Sequence, residues 1–418
     1  MDQLNLGVLG QYIWDRLPII LVFADGFMIY RLLTESDLTG RLVARAMFGG
    51  GARPQRIVLA TLVTAAVLSM FISNTVTALL LLPFLKTAVG KVAPPARRVF
   101  TSSLTMAAVY GANLGGVGSL IGSPANLLLI GALDAGRVPA AARITFLNWW
   151  YWSLPLLFML LALAVVVLHL GQPRSFYEEV GADLPSGPAE PATVPAGQRT
   201  AGRWFLLFLL FLMADGVLAG LVRDYRWLQS AVHLVVFLML IGLLFFPIPG
   251  RRCEPLLHWR NLIGQLPRRG LLFMGLFLGI YGLTVLALPP ELEQYLTSAI
   301  SSWDMGPPGR TVGLVLGVIF LTEILSNVLV VGLFFPVAQA MAAAQGLGPL
   351  PFMVMVSVAA NCAFMLPVAT SCNALLYGEM QGLSLRRFLA AGLVMNIGAG
   401  LIIAAWLPVA LPWIYRLD

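Results

Sequence analysis

Two short segments of this 418-residue chain concentrate oxygen-bearing side chains inside otherwise apolar sequence. The first is Ser69-Met-Phe-Ile-Ser73-Asn74-Thr75; the second is Thr322-Glu-Ile-Leu-Ser326-Asn327-Val328. Each places a hydroxyl residue, three spacers, Ser-Asn, and then a proline nine positions after the Asn (Pro83 and Pro336). A hydroxyl pair four apart lies on one face of a helix. An asparagine offers both a carbonyl oxygen for a cation and an NH2 for an anion. Hard cations such as Na+ take oxygen ligands. Helix N-termini carry unpaired N–H groups and partial positive charge, which suits an anion.

Each segment is followed by a second polar interruption, GANLGGVGSLIGSPANLLLIG at 111–131 and AANCAFMLPVATSCNALLYG at 359–378. Ser and Asn in membrane helices also serve as interhelical hydrogen-bond partners, and for a single Ser-Asn pair the two roles balance. Two pairs in register, each beside its own broken segment, favour a binding site. Paired interrupted segments in the two halves of a chain are the best sequence pointer to a transporter's central site. Lys and Arg are missing from these motifs, so an anion there would be met by helix ends and a bound cation.

The elements that must position these residues follow from composition. The chain is 59% hydrophobic and 11% charged, with mean hydropathy +0.86. Soluble domains run near 25% charged. A cytosolic enzyme, a nucleic-acid-binding protein and a disordered chain are excluded. Long unbroken apolar runs, in place of ~10-residue alternating segments, exclude a transmembrane barrel. The expected fold is an all-α polytopic membrane protein in the lipid bilayer, with inverted repeats and about 8 spanning helices plus two re-entrant hairpins. The first repeat covers 1–171: a helix at 5–31, a hairpin at 56–89, a broken helix at 101–131 and a helix at 145–170. A Pro-, Gly- and acid-rich cytoplasmic linker covers 172–203. The second repeat covers 204–418: three helices (204–222, 229–247, 270–288), a hairpin at 311–343, a broken helix at 352–378 and a helix at 388–415. Polar backbone at membrane depth is tolerated only where protein or a cavity satisfies it, which is why the two interrupted stretches read as hairpins. The basic segment 251–269 suits an interfacial amphipathic helix or an ordinary loop.

The net charge of +7 and pI near 9.6 need no nucleic acid. With the loop after the first helix in the cytoplasm, 19 of 26 basic residues fall on the cytoplasmic side. Both termini then lie outside, the first hairpin enters from the cytoplasm and the second from the outer face. No cleavable signal peptide is expected, and the setting is the inner membrane of a bacterium. Three cysteines and three histidines give neither a disulfide framework nor a metal cluster, and no enzyme motif is present.

The motifs SMFISNT (69–75), GSLIGSPAN (118–126), TEILSN (322–327) and CAFMLPVATSCN (362–373) resemble the signature segments of the divalent anion–sodium symporter family, carriers of dicarboxylates, citrate or sulfate. The likeness covers about residues 20–130 and 250–415. It implies a homodimer working by an elevator mechanism, with Na+ as coupling ion and a small anionic substrate. By matching motif, one Na+ site would use Ser69, Ser73, Asn74 and the Gly122 carbonyl. The other would use Thr322, Ser326, Asn327 and the Ala369 carbonyl. The anion would lie between the tips, near Ser73, Asn74, Thr75, Ser123, Ser326, Asn327, Val328 and Thr370. The chain departs from the family in three ways. Val328 replaces the threonine of the usual SNT, which implies an altered or asymmetric substrate. GSPAN and ATSCN replace loops resembling GTPPN and ATPPN, so the second break should be less rigid. The first half also lacks counterparts of helices 204–222 and 229–247, which implies a shorter N-terminal region than in relatives.

Asp25, Asp215 and Glu323 are acids within apolar segments and are functional candidates by default. Glu323 reads equally as a cation- or proton-linked residue and as a structural hydrogen-bond partner. Asp25 and Asp215 read as scaffold residues, and His233 as an interhelical partner. The Trp149-Trp150-Tyr151-Trp152 run reads as an interfacial aromatic belt. Rival functions are a non-transporting anion receptor or channel-like protein, and a proton-coupled or arsenite-type relative of the same architecture.

Overall fold

The computed structural model describes residues 6–48, 54–90, 94–135, 144–169, 195–222, 225–247, 255–260 and 306–415, with a few single positions between them. Among the described residues it is all-helical, with α1 (Leu6–Glu35), α2 (Leu38–Phe48), α3 (Pro54–Ser69), α4 (Asn74–Gly90), α5 (Pro94–Gly115), α6 (Pro124–Ala135) and α7 (Phe146–His169) in the first half. The second half holds α8 (Ala196–Leu221), α9 (Tyr225–Phe245), α10 (Pro307–Thr322), α11 (Asn327–Ala344), α12 (Leu350–Ala359), α13 (Ser371–Glu379) and α14 (Leu385–Tyr415).

The apolar run expected at 5–31 forms α1, and those at 145–170, 229–247 and 388–415 form α7, α9 and α14. The run at 204–222 extends N-terminally, because α8 starts at Ala196 directly after Pro195 at its N-cap. Proline fits a helix start, where its missing N–H costs nothing. The expected helix at 270–288, most of the linker and most of 251–269 lie outside the described residues. Among the described residues, five helices are long and apolar enough to cross a membrane: Phe146–His169, Ala196–Leu218, Trp227–Phe245, Asn327–Ala344 and Leu385–Tyr415. Their outward faces are apolar too, with Phe158, Leu206, Leu210, Val235, Leu238 and Trp413 exposed. Such faces fit hydrocarbon rather than water.

The chain divides into two compact units, and each draws on both sequence halves. One contains α1, α8 and α9, from Met1–Arg41, Thr145–Leu147 and Glu190–Arg268. There Ser230 Oγ donates to the Trp14 carbonyl at 2.7 Å, and Asp215 on α8 accepts from Gln229 on α9 at 3.0 Å. His233 Nε2 sits 3.1 Å from the same carboxylate. The Gln229 bonds to Asp215 thus tie α8 to α9, a structural use of polar groups at membrane depth.

The other unit, Leu42–Ile144, Asn148–Ala189 and Arg269–Asp418, holds every residue of the two motifs. Within it α5 presses closely on α3. A Cβ on Gly111 would collide with the Leu62 carbonyl, and one on Gly115 would collide with the Ala66 carbonyl and lie 2.7 Å from Ser69 Cβ. Two glycines four apart let the helix backbones approach, as small-residue stripes do in membranes. Gly115 therefore sets how near Ser69 comes to the first break.

Candidate functional site

Four residues, 70–73, turn the chain from α3 into α4, and 323–326 turn it from α10 into α11. The two tips are built by the same contacts. Phe71 and Ile72 N–H both return to the Leu68 carbonyl, and Ile324 and Leu325 N–H both return to the Leu321 carbonyl. Ser69 Oγ donates to Asn74 Oδ1 at 2.8 Å, and Thr322 Oγ1 donates to Asn327 Oδ1 at 2.8 Å. Ser73 and Ser326 act as N-caps, each accepting the third N–H along, from Val76 and Leu329, at 3.4 Å. N-capping serines satisfy one of the donors that every helix start leaves open. In both tips the first hydroxyl is buried, the capping serine exposed and the asparagine half-buried.

The two breaks repeat each other as well. Asn126 Nδ2 donates to the Gly116 and Ser119 carbonyls at 3.0 and 2.9 Å. Asn373 Nδ2 donates to the Ala363 and Leu366 carbonyls at 3.0 and 3.1 Å. Each asparagine reaches back ten and seven residues to hold the unwound loop. Helices α6 and α13 then restart under hydroxyl caps: Ser123 Oγ accepts Ala125 N–H at 3.2 Å, and Thr370 Oγ1 accepts Asn373 N–H at 3.1 Å. Four helix N-termini, each capped by a hydroxyl, result.

A buried amide that the motifs do not contain joins the first tip to the second break. Asn113, one turn before the first break on α5, accepts from Asn74 Nδ2 at 3.0 Å through its Oδ1. Its Nδ2 donates to the Ala363 carbonyl at 2.7 Å and to Asn373 Oδ1 at 3.1 Å. Thr75 and Ser371 hydroxyls meet beside it. Conversely, Ser357 on α12 donates to Asn126 Oδ1 in the first break at 3.0 Å. Thr322 Oγ1 also reaches the Ala360 carbonyl at 3.0 Å. Sequence reading missed Asn113; the signal was its place in GANLGG, a polar side chain in an otherwise small-residue run.

The structure therefore joins Ser69, Asn74, Thr370 and Asn373 into one network through Asn113, with Thr75 bonded separately to Ser371 and with Thr322 and Asn327 forming the equivalent pair in the second tip. Gly122 stands behind the first tip: a Cβ there would lie 3.2 Å from the Gly115 carbonyl, and Gly115 abuts Ser69. Ala369 is buried in the second break, its N–H on the Leu366 carbonyl at 3.2 Å. Among the described residues no hydrogen bond joins Ala369 to the second tip or Gly122 to the first. Ser123 is buried at its cap, and Val328 is half-buried beside Asn327.

Glu323 is the one charged side chain in this cluster, 1% exposed. Its Oε1 accepts the N–H groups of Phe364 and Met365 at 2.7 and 2.8 Å, and its Oε2 accepts that of Leu366 at 2.7 Å. Asn396 on α14 adds a fourth donor at 2.7 Å. Of the two readings of Glu323, the geometry shows the hydrogen-bond partner, which clamps the second break to the second tip. The aromatic run is not a belt throughout. Trp149 and Trp152 are fully buried, with Tyr151 exposed. Trp149 Nε1 donates to the Val117 carbonyl in the first break at 3.1 Å, and Trp152 Nε1 to Tyr415 Oη at 3.2 Å. Spacing of three puts both indoles on the inner face of α7.

Interrupted helices paired across two halves, among helices with apolar outer faces, define a secondary transporter of the membrane. The chain belongs to the citrate transporter family, which residues 6–346 match. It is similar to the sodium-dependent dicarboxylate transporter SdcS of Staphylococcus saprophyticus, 25% identical over 407 residues that cover 91% of this chain and 74% of that one. The SdcS protein of Staphylococcus aureus is likewise 25% identical, over 96% of this chain and 78% of that one. The fold is similar to that of the YdaH transporter of Alcanivorax borkumensis, with a TM-score of 0.54 at 14% identity, covering 99% of this chain and 90% of the other. The chain is thus an integral membrane transporter, distantly related to sodium-dependent dicarboxylate transporters, and not an enzyme.

Proposed function

We propose that the protein is a sodium-coupled symporter of a small divalent anion, such as a dicarboxylate, citrate or sulfate. The observation that carries this reading is the twice-built tip, in which a buried hydroxyl and an asparagine oxygen face each other across 2.8 Å (Ser69–Asn74 and Thr322–Asn327). On binding Na+, these oxygens turn from each other to the ion. Ser69, Ser73, Asn74 and the Gly122 carbonyl hold one Na+; Thr322, Ser326, Asn327 and the Ala369 carbonyl hold the other. The anion sits between the capped helix ends at Ser73, Asn74, Thr75, Ser123, Ser326, Asn327, Val328 and Thr370. Its charge is balanced by the two cations and by helix dipoles, so anion binding requires Na+. The relatives' sodium-dependent dicarboxylate transport supports the same assignment.

In this reading the two halves are inverted repeats whose tips re-enter from opposite faces, with both termini outside a bacterial inner membrane. The protein is a homodimer, and the body bearing tips and breaks moves across the bilayer as an elevator. Uptake of labelled succinate, citrate and sulfate into proteoliposomes tests it. Replacing Na+ by choline abolishes uptake of the true substrate, and so does Asn74→Ala or Asn327→Ala. Uptake that persists without Na+ and follows a pH gradient would overturn the coupling. Normal transport by either asparagine variant would overturn the site.

A further inference from the structure

The two breaks cross at a point lined by oxygen atoms. The position a Cβ on Gly116 would occupy lies 3.2 Å from Asn361 Oδ1 and 3.4 Å from both the Asn113 and the Gly122 carbonyl oxygens. Asn361 is 1% exposed, and its amide orientation follows from its donor, because Nδ2 bonds the Ser357 carbonyl at 2.9 Å. The oxygen therefore faces the gap, and among the described residues it accepts no hydrogen bond. A buried amide oxygen without a partner costs about 1–3 kcal/mol. The Asn113 carbonyl is open for a related reason. Val117 N–H, the donor an unbroken helix would send to it, turns to the Leu114 carbonyl at 3.0 Å as α5 ends. Carbonyls in the last turn of a helix carry its partial negative charge. A further oxygen, the Gly115 carbonyl, lies 3.2 Å from the adjoining Cβ position on Gly122. Converging oxygens and the negative end of a helix form a setting for a hard monovalent cation.

We propose a third cation site, for Na+, at this crossing, with Asn361 Oδ1 and the Asn113 and Gly122 carbonyls as ligands. It rests on the sodium coupling proposed above and adds an ion apart from the two at the tips. The Gly122 carbonyl, a ligand of the first tip's ion in that reading, has a second lone pair to offer this one. Because Asn361 comes from the second break and the other ligands from the first, the ion locks the two halves together before substrate arrives.

Equilibrium binding of radioactive Na+ to the purified, substrate-free protein in detergent tests this, with Na+ as the only probe. Gly116→Ala places a methyl in the gap while removing no hydrogen bond, and Gly116 is not among the positive-φ glycines. Asn361→Ala removes the side-chain ligand. Each variant should bind one Na+ fewer than the unmodified protein, or bind it about tenfold or more weakly. Ser69→Ala should remove a different equivalent, additive with Gly116→Ala. If Asn361→Ala does not purify as a monodisperse species, Gly116→Ala carries the test alone. Unmodified protein that binds Na+ while Gly116→Ala loses none would overturn the third site and leave the coupling standing. Loss of the same single equivalent in Ser69→Ala, Gly116→Ala and their combination would also overturn it. Unmodified protein that binds no Na+ would overturn both.

Discussion

The two breaks have the same outline and are held by different sets of contacts. The first, between α5 and α6, contains Gly116, Gly118 and Gly122, and its carbonyls receive donors from α7: Trp149 Nε1 on Val117 and Ser153 Oγ on Gly118. The second, between α12 and α13, lacks glycine, and its N–H groups are gathered by one carboxylate, Glu323, steadied by Asn396 of α14. Glu323 stands in its tip where Met70 stands in the first. The first tip approaches its break through a main-chain carbonyl instead, as Ser119 Oγ donates to Met70 O. Unwound backbone inside a membrane must be satisfied by protein. Both halves supply donors to loop carbonyls; the second adds an acceptor, the Glu323 carboxylate, for loop N–H groups. The consequence is unequal dependence on single residues: beyond the carbonyl contacts that both loops share, several small contacts hold the first break, whereas Glu323 alone gathers three N–H groups of the second.

Glu323→Ala is the substitution with the largest expected effect. It leaves three backbone N–H groups, one buried and two half-buried, and the buried Asn396 amide without their acceptor. At about 1–3 kcal/mol for each unsatisfied group, with partial relaxation, a loss of about 3 kcal/mol or more follows. Thermal unfolding of the purified protein should show it, and uptake should be absent. Glu323→Gln, which keeps an oxygen, should recover part of the stability. Equal damage from alanine and glutamine would break the account of Glu323 as an acceptor of backbone donors.

Gly115→Ala comes next. Its methyl would strike the Ala66 carbonyl and crowd Ser69; overpacking of this kind costs about 1–3 kcal/mol. Because α5 carries Asn113 and borders Ser69, transport should fall more than stability does, read as a loss of uptake rate in protein that still purifies intact. Trp149→Phe is expected to be milder still. It keeps a large buried ring and removes one hydrogen bond, worth about 1 kcal/mol. A Trp149→Phe protein as unstable as Glu323→Ala would show that the first break depends as heavily on one side chain as the second does.

Most of this architecture could be read from the residues. The tips at Ser69–Thr75 and Thr322–Val328 announce themselves because hydroxyl-Ser-Asn spacing is rare in apolar sequence and occurs twice. Asn126 and Asn373 were visible as the polar ends of the interruptions. What the residues did not disclose is pairing across long separations. Asn113 meets Asn373, 260 positions away, and no local pattern encodes that. Asn396 looks like an isolated polar residue in α14 until its carboxylate partner is placed beside it. Trp149 misled for a related reason: aromatic clusters at helix ends read as interfacial, and only packing reveals which face of α7 turns inward.

The smallest expected effect bears on the other difference between the halves, at the position after each Ser-Asn. Thr75 in the first tip meets the Ser371 hydroxyl; its counterpart Val328 has no hydroxyl to offer, although the two are equally half-buried. Threonine and valine are close in shape, so Val328→Thr adds one polar atom at a helix start with little change in packing. If the anion spans both tips, the new hydroxyl adds one hydrogen bond to its second end, a net gain of about 0.5–1.5 kcal/mol, or about two- to tenfold. That gain should appear as a lower KM for the longer divalent anions, with stability and Na+ dependence unchanged. A small tetrahedral anion held at one tip would not register it. An unchanged KM across succinate, citrate and sulfate would mean that the substrate is bound by the first tip and the two breaks alone. The asymmetry of the halves would then extend from the way the loops are held to the way the ligand is.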